Sequence, residues 1–203
     1  MTSFALSTFL TLFVTLDPVG VSPVFVSVAG DRQPDEQRLI ARKAVAAAGA
    51  ILVGFGLVER PLFQYIGVSV AALRVVGGVV LFKVAFEMIT AVRKRRTKAE
   101  SREAEERDDV SIFPLAIPVV AGPGSIAIIM VLVADNPGDA SRTGVVFAAL
   151  VSVLLFVWLS FRVSAEISRV LEETGINVVS RVLGIVLAAL AVQMITDGVL
   201  GLL

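Results

Sequence analysis

The 203 residues are 56% hydrophobic with a mean hydropathy of +0.87, far more apolar surface than one soluble core would bury, and the 18 Lys and Arg balance the 18 Asp and Glu without a basic face for nucleic acid. Cysteine and histidine are both absent, which excludes disulfides, thiol nucleophiles, imidazole bases and His/Cys metal sites. No cofactor or metal is expected, and an enzyme is the weakest reading, because Ser22 or Ser125 would have to work with Lys83 and nothing in their spacing supports it.

The chain opens with residues 1–18, which lack the basic leader of a secretory signal and run into further apolar sequence, so they read as a retained first helix. A membrane-spanning helix needs about 20 mostly apolar residues. The sequence predicts an all-α, polytopic membrane protein with six transmembrane helices, over residues 3–29, 41–58, 66–91, 111–134, 143–161 and 176–199. The second is short in its charge-free part, and Arg42 and Lys43 lengthen it by snorkelling to the interface. The first and fourth differ from the rest in carrying Pro and Gly in the middle of the span.

Counting Lys and Arg in alternate loops assigns the topology. One side holds Arg32, Arg38, Arg42, Lys43, seven basic residues between Arg93 and Arg107, then Arg162 and Arg169; the other holds only Arg60 and Arg142. The basic side is expected in the cytoplasm and both termini outside. Residues 93–110 form a densely charged cytoplasmic loop, basic first and acidic after, which reads as a solvated connector, with contact to anionic lipid through residues 93–98 as the functional alternative.

The strongest pattern is internal repetition. Residues 73–90 and 180–196 both contain Arg-x-x-Gly, Arg74 with Gly77 and Arg181 with Gly184, and both end in Met-Ile-Thr. Residues 16–26 open the first half much as 117–127 open the second. Three spans per half force opposite orientations, so residues 1–92 and 111–203 are expected to be two inverted three-helix repeats of one membrane domain, joined by 93–110, with a midplane site between them.

A Pro/Gly break at membrane depth survives only where protein or a water-filled cavity surrounds it. At Asp17, Pro18, Gly20, Ser22 and Pro23 the prolines remove donors and free carbonyls that suit a cation. At Gly122, Pro123, Gly124 and Ser125 a restarting helix offers N–H groups and a positive dipole end that suit a carboxylate. Together they suggest a cradle for a zwitterion, with Ser22 and Ser125 orienting it; the alternative is a pair of proline kinks without a ligand. Asp17 is the sharpest candidate, a carboxylate inside a span, whose other role would be an N-cap for the half-helix that follows. Arg74 and Arg181 are candidate counter-charges for Asp17, or bond to freed carbonyls, or snorkel to headgroups; Lys83 and Glu87, one turn apart, form a structural pair. The small-residue ladders Ala46, Ala50, Gly54 and Gly184, Ala188 permit close helix packing, within one chain or between copies of a homo-oligomer.

At residues 17–25 (DPVGVSPVF), at 114–126 (PLAIPVVAGPGSI) and at the two Arg-x-x-Gly spans, the sequence resembles the MarC family of bacterial inner-membrane proteins, over essentially the whole chain. The resemblance implies a six-span transporter of small neutral amino acids such as glycine and alanine, driven by H⁺ or Na⁺. Its partners would be the lipid bilayer, a small-molecule substrate and a coupling ion. Where family members often carry Asn after the Gly of the first motif, this chain has Val21 followed by Ser22. An exporter of other metabolites or drugs, a passive channel, and a regulatory membrane protein acting through residues 93–110 are the competing readings.

Overall fold

A computed structural model describes residues 1–90 and 110–203. The predicted loop at 93–110 therefore lies outside the described residues, apart from Val110. All described elements are helical: α1 (Thr2–Leu16), α2 (Ser22–Ala29), α3 (Pro34–Ile66), α4 (Val70–Thr90), a loosely wound α5 (Ser111–Val120), α6 (Pro123–Ala134), α7 (Ala140–Arg162) and α8 (Ser164–Leu200). Three are long and apolar enough to cross a membrane alone, at Pro34–Glu59, Ala140–Arg162 and Thr174–Leu200, and the α5–α6 pair, bent by 57°, is a fourth candidate.

Local chemistry sets the ends. Pro34 occupies the first turn of α3, where its missing N–H costs nothing, and Asp35 and Glu36 complement the positive dipole end. The Gln37 amide donates to the carbonyls of Gly30 (3.0 Å) and Arg32 (2.8 Å), which ties the turn before α3 to the helix. Asp139 caps α7 by accepting from the Arg142 N–H at 2.9 Å, and the Ser69 hydroxyl accepts from the Ala72 N–H at 3.1 Å at the start of α4. Both α3 and α8 run well past their predicted apolar cores of 41–58 and 176–199. Hydropathy marks only what lipid touches, while backbone hydrogen bonding continues into water.

The packing is mostly between the two halves of the chain. α1 lies on α7 and α5 on α3; α2 lies on α8 and α6 on α4; α3 meets α7, and α4 meets α8 in the most extensive contact of all. The Arg142 guanidinium sits 5.5 Å over the Phe4 ring, Phe9 and Phe13 meet Phe156 edge-on, and Phe25 stacks on Phe161 at 4.7 Å. Those contacts advance along α1–α2 and α7 together, so α1 and α2 follow α7 from one end to the other and the first broken pair does not turn back.

α4 and α8 are antiparallel, and their close approach depends on glycine. A Cβ on Gly77 would stand 3.3 Å from Met194, and one on Gly184 would stand 3.0 Å from Met88 and 3.1 Å from the Ala85 carbonyl. Thus the Arg-x-x-Gly of each half packs on the Met-Ile-Thr ending of the other. Within the chain the predicted ladder on α3 is not a contact face: Ala46 and Ala50 are exposed and Gly54 faces open space, while Ala41, Ala44 and Ala48 make the buried face. Outward, Val76, Val79, Phe82 and Phe86 on α4 and Val178, Val182, Ile185 and Val192 on α8 form an exposed apolar sleeve, the surface of an integral membrane protein rather than of a soluble monomer.

Candidate functional site

The first break is organised by Asp17. α1 ends as Asp17 enters the left-handed region (φ 46°, ψ 65°), a conformation in which Asp and Asn are the tolerated non-glycine residues. Pro18 has no N–H to give the Val14 carbonyl. The Gly20 N–H, which a continuous helix would aim at Leu16, instead donates to Asp17 Oδ1 at 3.0 Å. The Ser22 hydroxyl donates to the Pro18 carbonyl at 3.3 Å and the Ser22 N–H to the Val19 carbonyl at 3.2 Å, after which α2 begins with Pro23 in its first turn. Asp17 is only 2% exposed, and its Oδ2 accepts from the Ser180 hydroxyl of α8 at 3.4 Å. A Cβ on Gly20 would run into the Asp17 carboxylate. Gly20→Ala should therefore push that carboxylate off its backbone donor and cost about 1–3 kcal/mol, the usual range for overpacking, read as a lower unfolding midpoint in detergent.

The second break has no carboxylate and no capping side chain. α5 is extended at Phe113 (φ −125°, ψ 125°) and Ile117 (φ −125°, ψ 126°), each before a proline. Gly122 is extended at the start of α6, Pro123 takes the first turn, and no side chain caps the helix. Gly124 and Ser125 are buried there. A Cβ on Gly122 would sit 2.6 Å from the Pro118 carbonyl and one on Gly124 3.2 Å from Val84 and 3.5 Å from Leu81. The N-terminal amides of α6 thus open against α4 with a positive dipole end behind them.

The structure gathers Asp17, Pro18, Gly20, Ser22 and Pro23 at one break and Gly122, Pro123, Gly124 and Ser125 at the other, and docks the two at different heights on the α4–α8 pair. Gly77 opposite Met194 and Gly184 opposite Met88 set the register. Leu81 and Val84, which hold Gly124, then lie roughly eight residues, ~12 Å, along that pair from Ser180, which holds Asp17. Asp17 sits nearer the face that carries the 30–33 turn. Ser180, which immediately precedes the repeated Arg181, carries no local signal that marks it as the α8 group that meets Asp17.

The expectation for Arg74 is corrected. Its Nη2 and Nε lie 2.7 Å and 2.8 Å from Asp135 Oδ1, so its counter-charge is the residue that ends α6, not Asp17. The pair spans 61 residues of sequence and is half-buried. Burial pushes the Asp135 carboxyl above its ordinary range, Arg74 pulls it down, and the nearby Asp197 carboxylate raises it again. Arg181 is exposed and, among the described residues, forms no ion pair. Lys83 and Glu87 stand 4.0 Å apart with Lys83 largely in the open, an ordinary surface pair. Glu59, at the end of the α3 span, is a further buried carboxylate, 2% exposed, that apolar patterning had marked only as a boundary.

A family model described as "MarC family integral membrane protein" matches residues 2–203. The UPF0056 membrane protein YvbG of Bacillus subtilis is 34% identical, with 100% of this chain and 97% of the relative covered. MJ0972 of Methanocaldococcus jannaschii is also 34% identical, over 98% of this chain and 88% of the relative, and YhcE of Escherichia coli is 31% identical over 96% and 91%. No solved structure matches the chain.

Proposed function

The chain belongs to the MarC family of integral membrane proteins, and from that premise we propose that it is a secondary transporter, moving small neutral amino acids with H⁺ or Na⁺ along the two broken helices. The observation that carries the reading is the buried carboxylate of Asp17 in a helix break, matched by a second, uncapped break at the equivalent place in the other half. Such a break at membrane depth is tolerated where protein buries it or where it lines a pathway, and an intramembrane carboxylate, costly by about 2.5–3.5 kcal/mol, is usually functional.

The architecture we propose is six crossings, with α1–α2 and α5–α6 each counting as one, arranged as two inverted repeats. The exchange symmetry of the interfaces supports it: α1 on α7 matches α5 on α3, and α2 on α8 matches α6 on α4. We assign that face to the cytoplasm and the termini to the outside of a bacterial inner membrane, a reading that the basic residues at 30–43 and 162 support.

At the first break, Asp17 and the carbonyls of Val14 and Leu16 suit the coupling ion or a substrate ammonium. At the second, the amides of Gly124 and Ser125 suit the substrate carboxylate. A small zwitterion spans about 4 Å, less than the offset of the two docks, so in this state it is held by one end and the docks meet only when the broken helices move.

The absence of native cysteine makes the test direct. Ser22→Cys and Ser125→Cys should react with a small, water-soluble thiol reagent, and glycine or alanine should slow both reactions. Breaks that are inert to the reagent, or that react at the same rate with and without amino acid, would remove the proposed pathway.

A further inference from the structure

The two halves repeat one more element that the breaks leave unused. Val26, Val28 and Ala29 lead through the capping Gly30 to Asp31, and Val131, Val133 and Ala134 lead to the capping Asp135, so an aspartate stands at or one residue beyond the C-cap of each short half-helix. Each half also carries its Arg-x-x-Gly on the long helix, Arg74 on α4 and Arg181 on α8. In the structure Asp135 is bound by Arg74, the arginine of the other half, at 2.7 Å. Exchanging the halves maps that pair onto Asp31 and Arg181. Both of these are exposed, and among the described residues neither has an ion-pair or hydrogen-bond partner.

We propose that Arg74–Asp135 and Arg181–Asp31 are alternative latches at the two membrane faces, one closed while the other is open, and that this structure holds the first closed. The proposal rests on the transporter reading and deepens it by naming the residues that set which face is open.

The α4–α8 pair supplies the frame. Its reciprocal glycine contacts centre near residue 82 of α4 and residue 189 of α8, which leaves each arginine about eight residues, ~12 Å, from the centre, one toward each face. On α4, α6 runs from Gly124 beside Leu81 and Val84 to Asp135 at Arg74. On α8, the start of the first break, Asp17, already stands at Ser180, next to Arg181. The first half-helix therefore sits further toward its own face than the second does, and Asp31 lies beyond the arginine it would pair with. Movement of α2 back along α8 carries Asp31 toward Arg181 and Asp17 toward the height of Gly124, which brings the two docks together. Release of Arg74–Asp135 is the reciprocal step. A charge pair suits this role because a half-buried pair in contact with water contributes little net stability and so can open and close.

The cysteine-free chain again provides the test. In the full-length protein in lipid vesicles, the double variant Asp31→Cys/Arg181→Cys is oxidised with copper phenanthroline and the disulfide followed by mass spectrometry, with Arg74→Cys/Asp135→Cys as the pair that should close readily. Adding Asp135→Asn to the first pair opens the other latch and should raise its rate of disulfide formation about threefold, the population shift expected on losing one such pair. Arg74→Gln removes the same pair from its other side and must have the same effect, so a misfolded Asp135→Asn does not shelter the proposal. A rate unchanged by both substitutions, or no disulfide at 31 and 181 in any background, would overturn it. Oxidation does not require transport, so a protein that moves no amino acid can still pass or fail this test on its own terms.

Discussion

Asp17→Asn is expected to leave the protein folded and to cut gradient-driven uptake at least ~tenfold, the scale of loss when an intramembrane charge that binds its ion is removed. Two properties of the site separate these effects. Asparagine tolerates the left-handed conformation that Asp17 adopts (φ 46°), and its amide oxygen can still accept the Gly20 N–H. What it removes is the negative charge. Asp17→Ala removes the acceptor as well and places a Cβ residue without a compensating side chain in the left-handed region, at a cost of about 1–2 kcal/mol for the backbone alone. The alanine variant should therefore lose both uptake and thermal stability, and the asparagine variant uptake alone. Equal losses of stability would assign Asp17 to the turn rather than to the pathway.

Gly78→Ala should be among the most damaging single-methyl changes in the protein. The added Cβ would lie 2.6 Å from Ile195 Cγ1, 2.8 Å from the Ala191 carbonyl oxygen and 3.1 Å from the Ile195 amide nitrogen. Two of those three atoms are backbone, so a rotamer change cannot relieve the contact and α4 must separate from α8. The expected cost is about 1–3 kcal/mol, with larger side chains worse. Gly54→Ala is the matched control: its Cβ meets nothing within 4 Å, and the substitution should stabilise α3 by up to about 1 kcal/mol through helix propensity. Unfolding midpoints of the two variants in the same detergent, against the parent, check the prediction. A Gly78→Ala protein as stable as Gly54→Ala would mean that the helix pair is not packed as described.

The sequence exposed the breaks more clearly than their surroundings. Pro18 and Pro23 within six residues, and Gly122 beside Pro123, weaken a continuous helix enough to be read from residue type, and the structure breaks there, whereas the lone Pro61 is carried inside α3. The repeated Arg-x-x-Gly and Met-Ile-Thr were legible as a pattern, but their meaning was not: that each glycine receives the other half's Met-Ile is a long-range contact with no local signature. The same limit explains Arg74, whose partner Asp135 lies in the opposite half, and Ser180, an ordinary helical serine until Asp17 approaches it. On α3, Ala46, Ala50 and Gly54 have the spacing of a packing face, yet the buried face is Ala44, Ala48 and Leu52, because spacing alone does not say which side of an apolar helix meets protein and which meets lipid.

The central claim is that the protein couples an ion gradient to movement of a small neutral amino acid. It is tested most directly by purified parent protein in proteoliposomes, with radiolabelled glycine and alanine outside and Na⁺ or H⁺ gradients imposed in turn. The account predicts saturable uptake that appears with one of the gradients and collapses when that gradient is dissipated. Folded protein that takes up neither amino acid under either gradient, or flux that neither saturates nor responds to the gradient, would contradict it.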